Sequence, residues 1–140
     1  MDEWLSADVA EILYEDAALL VCVKPRGVLA AADASGKRSM AALLAPRTVY
    51  PVHRLDRETV GVMVFAKTPE AAAALSAALP DGFCKEYLAQ PETLPTPPEG
   101  EMEDLLYHDR IKNKTYVVAR KRGGVRPARL SYRVLDGGLV

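Results

Sequence analysis

Residues 53–61 crowd five ionisable side chains, His53, Arg54, Asp56, Arg57 and Glu58, into a short polar segment between two apolar stretches. A loop tethered by strands at both ends suits a catalytic group, because the scaffold is rigid while the loop stays accessible. An aspartate is ionised at neutral pH, and neighbouring guanidinium groups favour that form. Such a carboxylate can attack an electrophilic carbon or stabilise a developing positive charge. The same five charges also suit a solvated turn whose members pair with one another, and the residues alone leave both readings open. A second concentration of charge spans residues 110–133, with nine Lys or Arg and no Asp or Glu. Arg120, Lys121, Arg122, Arg126, Arg129 and Arg133 are able to follow nucleic-acid phosphates. They equally suit one face of a solvated strand.

The elements that must position these groups can be traced along the chain. Residues 12–14 and 19–23 are apolar runs split by Glu15-Asp16, which predicts a bent strand or hairpin. It ends at Lys24-Pro25-Arg26-Gly27, where Pro25 stops the ladder and Gly27 permits a turn. Residues 32–37 read as a loop. Ser39 can cap a short helix through Leu44, ended by Pro46. Residues 49–52 are a candidate strand leading into the charged segment, and residues 60–66 form a strong strand on its far side. Thr68 as cap, Pro69 at the first helical position, Glu70 and the alanine-rich run 71–79 predict a helix ended by Pro80-Asp81-Gly82. Further strands are expected at 84–90, 105–107, 115–119 and 130–135, with a proline-rich loop at 93–100. Residues 129–135 alternate, which puts part of the basic stretch on one sheet face. Leu139-Val140 reads as the first step of another strand, a hint that the chain is cut short. Few helices among many strands predict an α+β fold with a mixed, largely antiparallel sheet and flanking helices.

Composition narrows the class. The chain has 140 residues, enough for one domain with a real core, and 49% are hydrophobic, which argues against disorder. Net charge is −1, yet outside 110–133 the remaining nine basic residues face all 19 acids. An acidic body therefore carries one basic segment. Cys22 and Cys84 sit in apolar settings without metal-type spacing and read as reduced core residues, as does the alanine-rich helix. The acidic start, Met1-Asp2-Glu3-Trp4, lacks a signal-peptide pattern, and no apolar run is long enough to span a bilayer. A soluble cytoplasmic protein is expected.

The segment His53-Arg54-Leu55-Asp56-Arg57-Glu58-Thr59-Val60-Gly61-Val62-Met63-Val64-Phe65-Ala66-Lys67-Thr68 is very similar to the catalytic motif of RNA pseudouridine synthases of the RluA type. Ile12-Leu13-Tyr14-Glu15-Asp16, followed by Val23-Lys24-Pro25-Arg26-Gly27, resembles their opening motif. Lys85-Glu86-Tyr87-Leu88-Ala89 resembles a third. The resemblance implies the pseudouridine synthase catalytic-domain fold and isomerisation of uridine in ribosomal or transfer RNA. It implies Asp56 as catalytic carboxylate and Tyr87 as the active-site tyrosine that holds the extruded base. Arg54 would displace that base or bind the backbone, with His53, Arg57 and the basic stretch as further RNA contacts; for His53 a structural role is an equal alternative. Because the reaction involves no redox change, no cofactor and no metal are expected.

Two departures stand out. Val60 occupies a position where the family commonly has serine. A later family motif of the form Gly-Arg-Thr-His-Gln-Ile-Arg, which supplies a basic partner for the aspartate, does not occur. The expectation is therefore that residues 1–140 are the N-terminal part of a single catalytic domain, with no separate RNA-binding domain before Ile12. Little or no activity of the chain by itself, and weak stability or self-association through an exposed sheet edge, would follow. The alternatives are a catalytically inactive RNA-binding remnant or a truncated fragment. A protein-kinase catalytic loop is rejected, since the order of His-Arg-Leu-Asp differs, the required asparagine is absent and no glycine-rich phosphate loop precedes it.

Overall fold

The computed structural model describes residues 10–140; expectations about the opening residues, including the acidic start, lie outside them. The chain divides into two compact units, one ending at Cys84 and the other spanning Lys85–Val140.

In the first unit, β1 (Glu11–Glu15) and β2 (Leu19–Lys24) form the expected hairpin. Asp16 closes its turn: one carboxylate oxygen accepts from the amides of Ala18 and Leu19 at 2.7 and 2.9 Å. The helix α1 is short (Met40–Leu43), β3 covers only Tyr50–Pro51, and β4 spans Gly61–Ala66. The four strands make an antiparallel sheet in the order β1-β2-β4-β3. Strand alternation puts Leu20 and Cys22 of β2 on the same face as their partners Phe65 and Met63 of β4. That face is fully buried and packs with Val28, Met40, Leu43, Leu44 and Leu55. Each large apolar side chain so covered stabilises the unit by roughly 1.5–3 kcal/mol. The opposite face is less protected, with Val62 59% exposed.

The helix α2 (Pro69–Gly82) starts as expected, with the Thr68 hydroxyl accepting from the Ala71 amide at 3.1 Å. It differs from expectation in two ways. It runs through Pro80 to Gly82 instead of ending at the proline, although Pro80 cannot donate the hydrogen bond to the carbonyl four residues earlier. It also buries no residue completely. Its inner face, Ala71, Ala72, Leu75 and Leu79, is only half-buried. The alanines make this helix through propensity and contribute little to a core.

The second unit is a three-stranded antiparallel sheet, β6-β5-β7, formed by β5 (Glu99–Asp109), β6 (Lys114–Val118) and β7 (Val125–Arg133). Residues 84–90 form no strand, contrary to expectation. Among the described residues, apolar side chains there belong to segments without a ladder partner except at Ala89, which exchanges backbone hydrogen bonds of 2.8 and 2.9 Å with Val140. Cys84 is accordingly exposed and not core, whereas Cys22 is buried as expected. Among the described residues all strand pairs are antiparallel, and the one parallel pairing is an isolated bridge between Leu29 and Ser39. The α+β class therefore holds, with two antiparallel sheets in place of one mixed sheet. Among the described residues no helix is long and apolar enough to cross a membrane.

Candidate active site

The charged segment forms the connection from β3 to β4. Leu55 points inward and is buried. A side chain at position 61 would come within 3.2 Å of Leu55 Cδ1, so glycine leaves room for this anchor. Asp56 is exposed, and its carbonyl accepts from the Thr59 amide at 3.0 Å, which folds the segment into a turn.

One residue further on, the chain is pinned from below. The Arg57 carbonyl accepts from the Gly27 amide and from the Lys24 ammonium, both at 2.8 Å. Lys24 is fully buried, and its Nζ also donates to the carbonyls of Pro25 (3.0 Å) and Val28 (2.8 Å). One cation thus satisfies three backbone acceptors and ties the end of β2 to the aspartate loop. Burial pushes the Lys24 amine below its ordinary range, while the charges of Glu58 and Asp56 pull it back up. Gly27 adopts φ +81°, the left-handed conformation that lets the chain turn back over this lysine. Sequence reasoning missed Lys24 as a site residue. A readable signal was present, since Lys24 shares the parity of buried Leu20 and Cys22 along β2.

The loop's remaining charges have other partners. Glu58 pairs with Arg26 at 2.8 Å and with Arg57 at 3.1 Å. The Arg26 hydrogen bond is the main reason its carboxyl is held below the usual range. Arg57 therefore engages Glu58, and Arg54 is exposed. Among the described residues no cation forms an ion pair with Asp56. His53 is half-buried, its Nε2 accepting from the Val64 amide at 3.1 Å and its ring meeting Phe83 edge-on at 6.3 Å.

The opening motif works as framework. Glu15 accepts from Arg47 at 2.9 and 3.0 Å and from Lys67 at 2.7 Å, joining β1 to the chain before β3 and the end of β4. Arg47 first, then Lys67, holds the Glu15 carboxyl down to about 2.

In the second unit Tyr87 is 60% exposed. Arg120, Lys121 and Arg122 share the connection between β6 and β7, which flank β5 and run parallel to each other. The connection crosses β5 at Tyr107, where the Arg122 guanidinium lies 4.9 Å from the ring centre. Gly124, at φ +82°, supplies the left-handed turn beside that ring. Arg126 is opposite Leu106, Arg129 opposite Glu103 and Arg133 opposite Glu99. Arg129 also forms an ion pair of 2.6 Å with Glu101. The basic strand β7 thus lies against an acidic half of β5, whose charge the sequence pattern did not connect to it.

A family profile described as RNA pseudouridylate synthase matches residues 18–138. The chain belongs to this family. The expected kinship with RluA-type synthases therefore stands. Pseudomonas aeruginosa ribosomal large subunit pseudouridine synthase D is 43% identical over 88 residues, covering 55% of this chain and 27% of that protein. Ribosomal large subunit pseudouridine synthase C of Pasteurella multocida is 38% identical over 87 residues, covering 56% and 26%. The tRNA pseudouridine synthase C of the same organism is 37% identical over 68 residues, covering 44% and 28%. The matched stretch is about a quarter of each relative's length. Among solved structures, human RNA pseudouridylate synthase domain containing 4 has a TM-score of 0.68 at 25% identity, over 89% of this chain and 53% of that one.

Proposed function

We propose that this chain carries the aspartate loop of an RNA pseudouridine synthase, which isomerises uridine in ribosomal or transfer RNA with Asp56 as the catalytic carboxylate. The observation that carries this reading is the loop itself: an exposed aspartate on a turn whose next carbonyl is held by a buried lysine and a backbone amide. Such anchoring keeps a reacting group in place without covering it. The family match and the relatives named for ribosomal and transfer RNA point the same way. Because the match runs through both units, residues 18–138 are read as parts of one catalytic domain.

In the reaction the bond from ribose C1′ to uracil N1 breaks, the base turns, and a bond from C1′ to C5 forms. C5 gives up a proton and N1 takes one, so the sum is an isomerisation without change of oxidation state. The Asp56 carboxylate stabilises or captures the positive charge that develops at C1′ when the base leaves. Tyr87 offers a ring on which the extruded base stacks, and Arg54 fills the place the base vacates or grips the backbone. A second reading, an RNA-binding remnant without turnover, draws on one observation: among the described residues no cation forms an ion pair with Asp56.

The test is tritium release from RNA labelled at uridine C5. Asp56→Asn keeps the side chain's shape and removes its charge, and should lower release by about a thousandfold or more. Near-normal release by Asp56→Asn would remove Asp56 from the chemistry. No release even from the wild-type protein would favour the remnant.

A further inference from the structure

We propose that His53 is a positioning residue, which holds the Asp56 loop to β4 as a neutral imidazole and does not touch RNA. The inference rests on the reading of Asp56 given above. Strand β3 pairs with β4 only through Tyr50 with Ala66 and Pro51 with Phe65, and then leaves the sheet. Two residues on, the His53 ring swings back and its Nε2 accepts from the Val64 amide at 3.1 Å. The imidazole thus stands where a longer β3 would have offered its next backbone acceptor, and a half-buried amide is satisfied. Accepting at Nε2 requires a lone pair there, so the ring is neutral with its proton on Nδ1. The edge of the same ring meets Phe83, the residue that closes α2. His53 therefore joins three things: the loop, the central part of β4 and the end of α2. Asp56 follows three residues later, and on its far side the Arg57 carbonyl is held by Lys24 and Gly27. The aspartate is suspended between two anchors, one on each side. An arginine or lysine would serve RNA binding at position 53 at least as well as histidine, but neither could accept this amide.

The test uses the whole chain, labelled with nitrogen-15. Long-range proton–nitrogen spectra report which ring nitrogen of His53 carries the proton, and amide exchange reports the Val64 hydrogen bond. His53→Gln places a carbonyl oxygen near the position of Nε2, whereas His53→Asn places its amide nearer the position of Nδ1 and falls short. The expected result is a neutral ring protonated at Nδ1. Val64 should exchange at least about tenfold faster in His53→Ala and His53→Asn, with faster exchange through residues 53–60. Protection should return in His53→Gln, and affinity for a uridine-containing RNA should stay within about twofold of wild type in His53→Gln. A ring protonated at Nε2 would overturn the proposal, as would unchanged Val64 exchange in His53→Ala. Loss of RNA affinity in His53→Gln with Val64 still protected would also overturn it and return His53 to the RNA surface. None of these readouts depends on Asp56 chemistry, so the Asp56→Asn assay can fail while this proposal stands, and the reverse.

Discussion

The two units handle their charges in opposite ways. Among the described residues every buried hydrophobic side chain lies between Leu20 and Ala66, in the first unit, and the second unit buries none. In the first unit a charged group, Lys24, has been taken inside and given three carbonyl partners, with the aspartate loop built over it. In the second unit charge stays outside, on strands held by ladder hydrogen bonds and by pairs such as Arg129 with Glu101. A buried polar interaction is expensive to break, because the partner left behind has no water to turn to, whereas an exposed ion pair contributes little. The loop proposed for chemistry is thus mounted on the unit with the buried core, and the basic stretch 110–133 lies in the unit without one.

The largest effect that tests this contrast is expected at Lys24. Lys24→Met keeps the aliphatic stem and removes the ammonium, which takes its hydrogen bonds from the carbonyls of Pro25 and Val28 and leaves the Arg57 carbonyl with the Gly27 amide alone. The loss of unfolding free energy should be about 2–4 kcal/mol in urea titration. A change below about 0.5 kcal/mol would mean that the cage is incidental and that the loop is held by other interactions.

Native-state amide exchange tests the contrast without mutation. Amides of β2 and β4 should exchange at least about 100-fold more slowly than those of β5, β6 and β7, since protection follows burial as well as hydrogen bonding. Equal protection in the two sheets would break the comparison, and would show that the second sheet draws stability from something other than side-chain burial.

Much of this division was legible in the sequence, and the failures have physical causes. The hairpin, the capped helix and the aspartate loop were readable because each has a local signature: apolar runs around Glu15-Asp16, Thr68-Pro69 at a helix start, and five ionisable groups between strands. Strand β5 was expected at 105–107 but begins at Glu99, because Glu99, Glu101, Glu103 and Asp104 are poor strand formers; Glu99 and Glu103 lie opposite Arg133 and Arg129 of β7, and Glu101 pairs with Arg129. Residues 84–90 show the reverse error, a run with strand character that pairs with no strand among the described residues. At the loop, the charged residues were visible in the sequence while the backbone partners that hold it were not. Lys24 and His53 act through backbone groups more than 10 residues away in sequence, and no local pattern marks which carbonyl or amide a side chain will meet.

A smaller effect is expected from acid. The Glu15 carboxyl is held at about 2 against an ordinary 4.5, by Arg47 and Lys67. A lowered carboxylate contributes stability that is complete above the unfolded value and is lost as pH falls from about 4.5 through about 2. Glu15→Gln should therefore be less stable than wild type at pH 7 and nearly equal to it at pH 2. Chemical-denaturation curves at the two pH values read this directly, and a gap that persists at pH 2 would show that packing of the side chain matters more than its charge.

The smallest effect is expected at Arg129, and its smallness is the point. Arg129 lies in the most basic part of the chain and, by charge alone, ought to contribute to RNA affinity as much as Arg120, Lys121 or Arg122. Its guanidinium is already engaged by Glu101 at 2.6 Å, with Glu103 directly across the ladder, so its field is largely cancelled before a phosphate arrives. The crossover cations have no such acidic strand opposite them, and Arg122 is oriented by the Tyr107 ring. Removing one cation that neutralises a phosphate should lower the slope of log affinity against log salt by roughly 0.7–0.9. Arg129→Ala should leave both affinity and slope for a uridine-containing RNA unchanged, whereas replacing Arg120, Lys121 and Arg122 together by alanine should reduce the slope by roughly two. A salt titration in which Arg129→Ala alone lowers the slope by the amount of one whole phosphate would mean that RNA displaces Glu101. The second unit would then be a surface that rearranges its own charge pairs on binding.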